Sequence, residues 1–300
     1  MIIANLIGGL GNQMFQYACA RALAVELKLP LKVTLDMFGA FTFHNGPELE
    51  HIFSLKLDIA SPVELRSVIG AVRALPAVRR ILAHNAFDSL RGKDFIAEPC
   101  YSYWDGLLDR ARGGGYLQGY WQSSRYFLKH AAIIKNDFTF RGQLTGYNAE
   151  IERAIRGSVA VGVHVRRGDY VNNAKTRSMH GTCAPGYYFK AIERVRHRIP
   201  MGTRFFAFSD DPQWVTEVLI PCYPDLVLVD NNRGENDYID MRLMSLCNHN
   251  IIANSSFSWW AAWLNDNHEK MVIAPRRWFA NDTDTRDLIP HEWELMDNLA

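Results

Sequence analysis

The sequence lacks most features that mark a specialised class of protein. Its five cysteines, Cys19, Cys100, Cys183, Cys222 and Cys247, lie far apart, and no two form a C-x-x-C pair. That argues against a structural zinc site and a disulfide framework, and it fits a reduced compartment. No apolar run approaches the roughly 20 residues of a membrane span. The start, MIIANLIGGLGNQ, has neither a basic leader region nor a cleavage pattern, so it does not read as a signal peptide. The expected location is cytoplasmic, with peripheral contact at the inner face of a membrane still compatible. The N-x-S/T sequons at Asn254 and Asn281 then carry no consequence. Charge of either sign is not in excess: the formal net charge is +1. Such a chain has no long-range pull on nucleic acid or anionic lipid, so any anion it binds must be caught by a local site. There are no repeats and no low-complexity segment.

What is present is a core. Hydrophobic residues make up 48% of the chain and charged residues 22%. Three hundred residues suffice for two ordinary domains. The first 36 residues read strand, loop, helix, strand. Ser61-Pro62 with Glu64 signals a helix start, and Pro76 breaks the helical run. Residues 88–115 are polar and aromatic. Residues 141–158 have the polarity of a junction, so domains are expected at 1–155 and 156–300. From residue 159 apolar strands alternate with amphipathic helices, the pattern of a parallel sheet covered on both faces.

Four stretches carry chemistry. GGLGNQ, residues 8–13, is a glycine-rich turn between a strand and a helix. Gly9 and Gly11 supply two glycines of a dinucleotide fingerprint, and Asp36 stands where a ribose-binding carboxylate would be, but Met14 occupies the place of the third glycine. Asn12 and Gln13 would present polar side chains to whatever the loop faces; the alternative is a tight turn that merely needs glycine. The stretch VAVGVHVRRGDY ends a core strand in His164, Arg166, Arg167 and Asp169. Strand period puts His164 and Arg166 on one face, at the carboxyl end where open α/β sheets bind ligands. Guanidinium forks there suit phosphate or carboxylate, while Arg167 could instead serve a salt bridge with Asp169. Asp210 and Asp211 precede Pro212, an ordinary helix start as well as a conceivable metal pair. Finally, Ser255 and Ser256 open a tryptophan-rich helix as either caps or an anion site. Asp240, early in the preceding helix, could accept two N–H bonds from a guanine edge or simply favour the helix dipole. Trp259, Trp260 and Trp263 read as core.

Taken together, GGLGNQMFQYA, LQGYWQSSRYF, VGVHVRRGDY, FSDD and LCNHNIIANSSFSWWAAWL resemble the α-1,2-fucosyltransferases of glycosyltransferase family 11 along nearly the whole chain. The HxRRxD signature is shared with α-1,6- and protein O-fucosyltransferases. The resemblance implies an α/β, GT-B-like fold with two Rossmann-like domains facing a cleft. The first would be the acceptor-side domain and the second the donor-binding one. It also implies GDP-β-L-fucose as donor and inverting transfer to the 2-hydroxyl of a galactose-terminated oligosaccharide or glycolipid, without metal or other cofactor. By the same resemblance His164 and Arg166 line the donor pyrophosphate, and Arg166 is the one most tied to activity. Arg167 and Asp169 support them. Asp240 reads guanine, Ser255 and Ser256 contact phosphate, and Asn12, with Gly11, reaches the donor from the first domain. The α-1,6 enzymes carry a glutamate where this chain has Ala174, so no general base transfers from them; Asp169 and His44 are the remaining candidates. The rival readings are another linkage, a nicotinamide-dependent oxidoreductase and a non-catalytic nucleotide-binding protein.

Overall fold

A computed structural model describes residues 1–38, 45–168, 178–199 and 202–299. The chain divides into two units, one of Met1–Arg141 with Asp284–Pro290 and one of Gly142–Thr283 with His291–Ala300.

The first unit is built on a parallel sheet of β1 (Ile2–Asn5), β2 (Leu31–Thr34), β3 (Phe95–Ala97) and β4 (Gly115–Gln118), in the order β2-β1-β4-β3. β1 runs into α1 (Leu10–Leu27). The Ser61 signal begins α2 (Pro62–Ile69) with a reciprocal capping box to Glu64, and Pro76 starts a separate helix, α3 (Pro76–Leu82). Leu65, Ile69 and Leu82 of these helices pack on Ile3, Phe95 and Tyr116 of the sheet. β3 is not legible in the aromatic stretch 88–115, because three residues at a sheet edge carry too little periodicity. Residues 284–290 join this unit through Asp287, whose carboxylate receives Arg125 Nη1 at 2.7 Å and whose carbonyl receives the Ser123 hydroxyl at 2.6 Å.

The second unit holds β5 (Ala160–Val165), β6 (Arg204–Ser209), β7 (Val227–Val229), β8 (His249–Ile251), β9 (Val272–Pro275) and β10 (Glu294–Met296). All paired neighbours are parallel, in the order β10-β9-β8-β5-β6-β7. Its helices include α4 (Gly146–Arg156), α5 (Pro185–Arg198), α6 (Tyr238–Ser245) and α7 (Ser256–Leu264). The boundary expected at 155/156 falls instead after Arg141. The polar stretch 141–158 is an amphipathic helix rather than a linker: α4 buries Ile151 and Ile155 and packs on α6.

Alternation along β5 sorts its side chains. Val161, Val163 and Val165 enter one core with Tyr187, Ile192 and Phe205. Gly162 faces the other layer, where an added Cβ would meet the Asn250 amide at 3.2 Å and the Cys247 sulfur at 3.3 Å. His164 shares that second face. Trp259 and Trp260 are fully buried and stack edge to face with ring centres 5.1 Å apart, as expected of core residues. Asn254 is buried too, and its amide donates to the carbonyls of His180 and Trp278, so this sequon is a structural tie.

Candidate active site

In the second unit the chain leaves β5 for β6 and β7 on one side, then returns to β8, β9 and β10 on the other. The strand order therefore reverses between β5 and β8. In open α/β sheets, the crevice outside the carboxyl ends at such a reversal is the ligand position. His164 is the penultimate residue of β5, and Arg166 and Arg167 come directly after the strand.

His164 is buried, and its ring centre lies 5.7 Å from that of Phe257 in the first turn of α7. The strand end and the helix start are thus neighbours. Burial pushes the imidazole down to about 3; Arg166 acts in the same direction, and Asp210 opposes it. At neutral pH His164 is therefore uncharged, with one N–H to donate and one nitrogen to accept. Its Nδ1 has no hydrogen-bond partner among the described residues.

Arg166 Nε lies 3.2 Å from Asp210 Oδ2. The other Asp210 oxygen accepts the backbone N–H of Arg167 at 2.8 Å. This explains Gly168: a Cβ there would stand 2.8 Å from Asp210 Oδ2. Arg167 donates from Nε to Asp211 at 3.2 Å and lies over the Trp214 ring, 4.6 Å from its centre. Asp211 also caps the following helix by accepting the Trp214 N–H at 3.1 Å. The aspartate pair is thus committed to two arginines and a helix start. Asp169 lies outside the described residues, and Arg167 is paired with Asp211.

Ser255 is the N-cap residue of α7, yet its side chain makes no capping bond. Simple capping therefore does not account for the serine pair, and the first N–H groups of this nine-residue helix are the kind that hold anions. Asp237 lies just ahead of α6. Burial raises its carboxyl, while the charge of Arg166 pulls it the other way. In the first turn of α6, Asp240 is buried and accepts the Asn232 amide at 2.6 Å. Burial lifts its carboxyl to about 7 against that hydrogen bond and the nearby Arg233. A dipole-favoured surface acid would not be buried in this way.

The first unit has a matching reversal, between β1 and β4. The glycine turn is shorter than expected: only Gly8 and Gly9 precede α1, and Asn12 and Gln13 sit in the helix's first turn. Gly8 has φ +79°, and a Cβ on it would press on the Asn12 amide at 2.9 Å. Asn12 accepts the Gln122 amide at 2.7 Å and so ties the start of α1 to the chain beyond β4. Gln13 does not face a ligand. It is fully buried, donates to the carbonyls of Gly8 and Gly46, and accepts the Glu48 N–H. Gly11 is buried in the helix. Asp36, the candidate ribose carboxylate, is paired with the fully buried guanidinium of Arg79, whose Nη1 donates to Oδ1 at 3.1 Å. The dinucleotide reading loses both its third glycine and its acid.

Sequence reasoning missed Asp237, Asn232 and Gln122. The sequence signal for Asn232 and Gln122 is their place just beyond strand ends, at 229 and 118, and for Asp237 its place directly before a helix. His44 and Ala174 lie outside the described residues.

The sequence and the fold also resemble those of known proteins. Residues 79–296 match the model of Glycosyl transferase family 11. The chain is 33% identical to an alpha-1,2-colitosyltransferase of Escherichia coli, over 98% of each protein. It is 28% identical to Galactoside 2-alpha-L-fucosyltransferase SEC1 of Bos taurus, over 87% of this chain and 63% of that protein. Among solved structures it superposes on NodZ alpha-1,6-fucosyltransferase soaked with GDP-fucose, with a TM-score of 0.55 and 15% identity. That match covers 88% of this chain and 91% of the other. The fold is GT-B-like, and the chain belongs to glycosyltransferase family 11.

Proposed function

We propose that this glycosyltransferase moves L-fucose from GDP-β-L-fucose to the 2-hydroxyl of a terminal galactoside, with inversion and without a metal. The observation that carries the reading is Arg166 at the end of β5, braced by Asp210 and joined through His164 and Phe257 to the open start of α7. Breaking the bond between fucose and phosphate leaves negative charge on the departing GDP. Arg166 takes up that charge, helped by the N–H groups at Ser255–Ser256. His164 contributes a neutral hydrogen bond, not a second cation. Asp240 reads the guanine edge, and Arg167 holds the strand end in place.

The colitosyltransferase relative favours a second donor reading. Colitose is L-fucose without its 3-hydroxyl. A pocket that hydrogen-bonds that hydroxyl rejects the deoxy sugar by roughly 10⁴, whereas an apolar pocket separates the two poorly. The test is transfer from GDP-fucose and from GDP-colitose to a β-galactoside, with EDTA present, followed by linkage analysis of the product. Formation of α-1,2-fucosyl product from GDP-fucose is the expected result. Turnover of GDP-colitose alone would give the chain the donor of its bacterial relative. Loss of activity in EDTA, restored by manganese, would overturn the metal-free mechanism.

A further inference from the structure

Asp240 is held by a chain of amides that begins in a different helix. Its Oδ1 accepts Asn232 Nδ2 at 2.6 Å. The same Nδ2 donates its second hydrogen to Asn148 Oδ1 at 3.1 Å, and Asn148 Nδ2 returns a bond to Asn232 Oδ1 at 2.9 Å. The two asparagines thus form a reciprocal pair, like two edges of a base pair. Asn231 closes the cluster by donating to Asn148 Oδ1 at 3.0 Å. Asn232 is 3% exposed and Asp240 8%. An amide with both hydrogens and its oxygen engaged cannot rotate without losing several bonds at once. A carboxylate accepting from it is fixed in plane as well as in position. Asn148 stands at the start of α4, Asn232 just after β7 and Asp240 in α6, so three elements converge on one carboxyl group.

Such an arrangement costs desolvation, and burial indeed raises this carboxyl. Anchoring α6 alone would need no buried acid, since an apolar side chain packs a helix at less cost. The cluster makes sense as a device for aiming. Guanine offers two adjacent donors, N1–H and the 2-amino group, and a carboxylate matches both only when its plane is set.

We propose that Asn232, locked by Asn148, is the positioning residue that gives the nucleotide site its preference for guanine. This rests on the base-reading role proposed for Asp240. GDP and IDP test it, because hypoxanthine keeps N1–H and lacks the 2-amino group while the ribose and phosphates are unchanged. Titration calorimetry on the full chain would compare the wild type with Asn232→Ala, Asn148→Ala and Asp240→Asn.

The wild type should prefer GDP to IDP by about tenfold or more. Asn232→Ala should remove most of that preference and Asn148→Ala part of it, each with IDP affinity nearly unchanged. A purely structural role would weaken both nucleotides together and leave their ratio intact, which would overturn the inference. If Asn232→Ala does not fold, the half-buried Asn148→Ala carries the test alone. Loss of preference in Asp240→Asn, with wild-type preference in both asparagine variants, would sink the positioning role only. Full preference in Asp240→Asn would sink the base-reading role and this inference with it.

Discussion

The two units solve one topological problem with opposite chemistry. Each reverses its strand order beside its first strand, at β1 and β4 in one and at β5 and β8 in the other. At the second reversal the chain places His164, Arg166 and Arg167 with Asp210 and Asp211 around them. At the first it places neutral amides: Asn5 donates to Gln118 at 3.0 Å, and Gln122 donates to Asn12. A site lined by guanidinium can take up a diphosphate's charge, whereas one lined by amides suits hydroxyl groups. The fold therefore supplies two ligand positions, and the residues after each strand decide what each one takes.

The largest effect should come from removing the charge after β5. Arg166→Ala should lower kcat by about 10²–10³, with a smaller change in KM for the donor, because the charge it meets develops only as the bond breaks. Arg166→Lys should be nearly as damaging, since it keeps the charge and loses the fork. Arg167→Ala is the internal control: its bonds run to Asp211 and the Trp214 ring, so its melting temperature should fall along with its rate. Steady-state kinetics beside thermal melts separates the cases. Near-normal kcat in a folded Arg166→Ala would move the leaving-group role to the start of α7.

Gly168→Ala should act on the same charge indirectly. The new Cβ would meet the Asp210 carboxylate at 2.8 Å, and that group is held by the Arg167 N–H. The carboxylate must move, and Arg166 loses its brace. A fall in kcat of about tenfold is expected. Unchanged kinetics would show that Arg166 keeps its aim without Asp210.

The neutral reversal offers the contrasting case. Gln122 is buried, and its Oε1 has no partner among the described residues. Gln122→Leu should raise the acceptor KM about fivefold and leave the Kd of GDP alone. A weaker Kd for GDP instead would place Gln122 and Asn12 on the nucleotide and erase the contrast between the units.

Legibility in the sequence depends on range. The α/β alternation from residue 159 and the strand that ends in HVRRG are local patterns, and both stand in the structure as expected. Ser61 with Glu64 marks a helix start correctly, whereas Pro76, expected to break that helix, opens the next one, the first having already ended at Ile69. Gln13 misleads because a polar residue beside a glycine turn looks exposed, while its carbonyl partner at Gly46 lies 33 positions away. The partners of Arg166 and Arg167 escape for the same reason: Asp169 is near in sequence, whereas Asp210 and Asp211 arrive from the next strand. The Asn148–Asn232 pair spans 84 positions and has no local signature.

The smallest predicted effect concerns one carboxyl group in each unit. Burial raises both Asp240 and Glu98 to about 7. Glu98 accepts the backbone N–H groups of Tyr120 and Trp121, and Asp240 accepts Asn232. Between about pH 4 and 7 the native state therefore holds protons that the unfolded chain has released. This part of the stability is complete below about pH 4 and is lost as pH rises through about 7, so the unliganded melting temperature should fall between about pH 5 and 7. Reading guanine needs the ionised form of Asp240, because a protonated acid cannot accept two N–H bonds. Asp230, Asp237 and Arg233 surround it, and binding must draw the proton off against the two acids. GDP affinity relative to IDP should thus rise by about threefold from about pH 6 to 8, opposite in sign to the stability change. Taking the ratio cancels the titration of the phosphates, which the two nucleotides share. In Asp240→Asn the affinity ratio should become independent of pH, while the part of the stability slope due to Glu98 persists. A flat stability profile in that variant would assign the whole slope to Asp240 and leave Glu98 without a titration in this range.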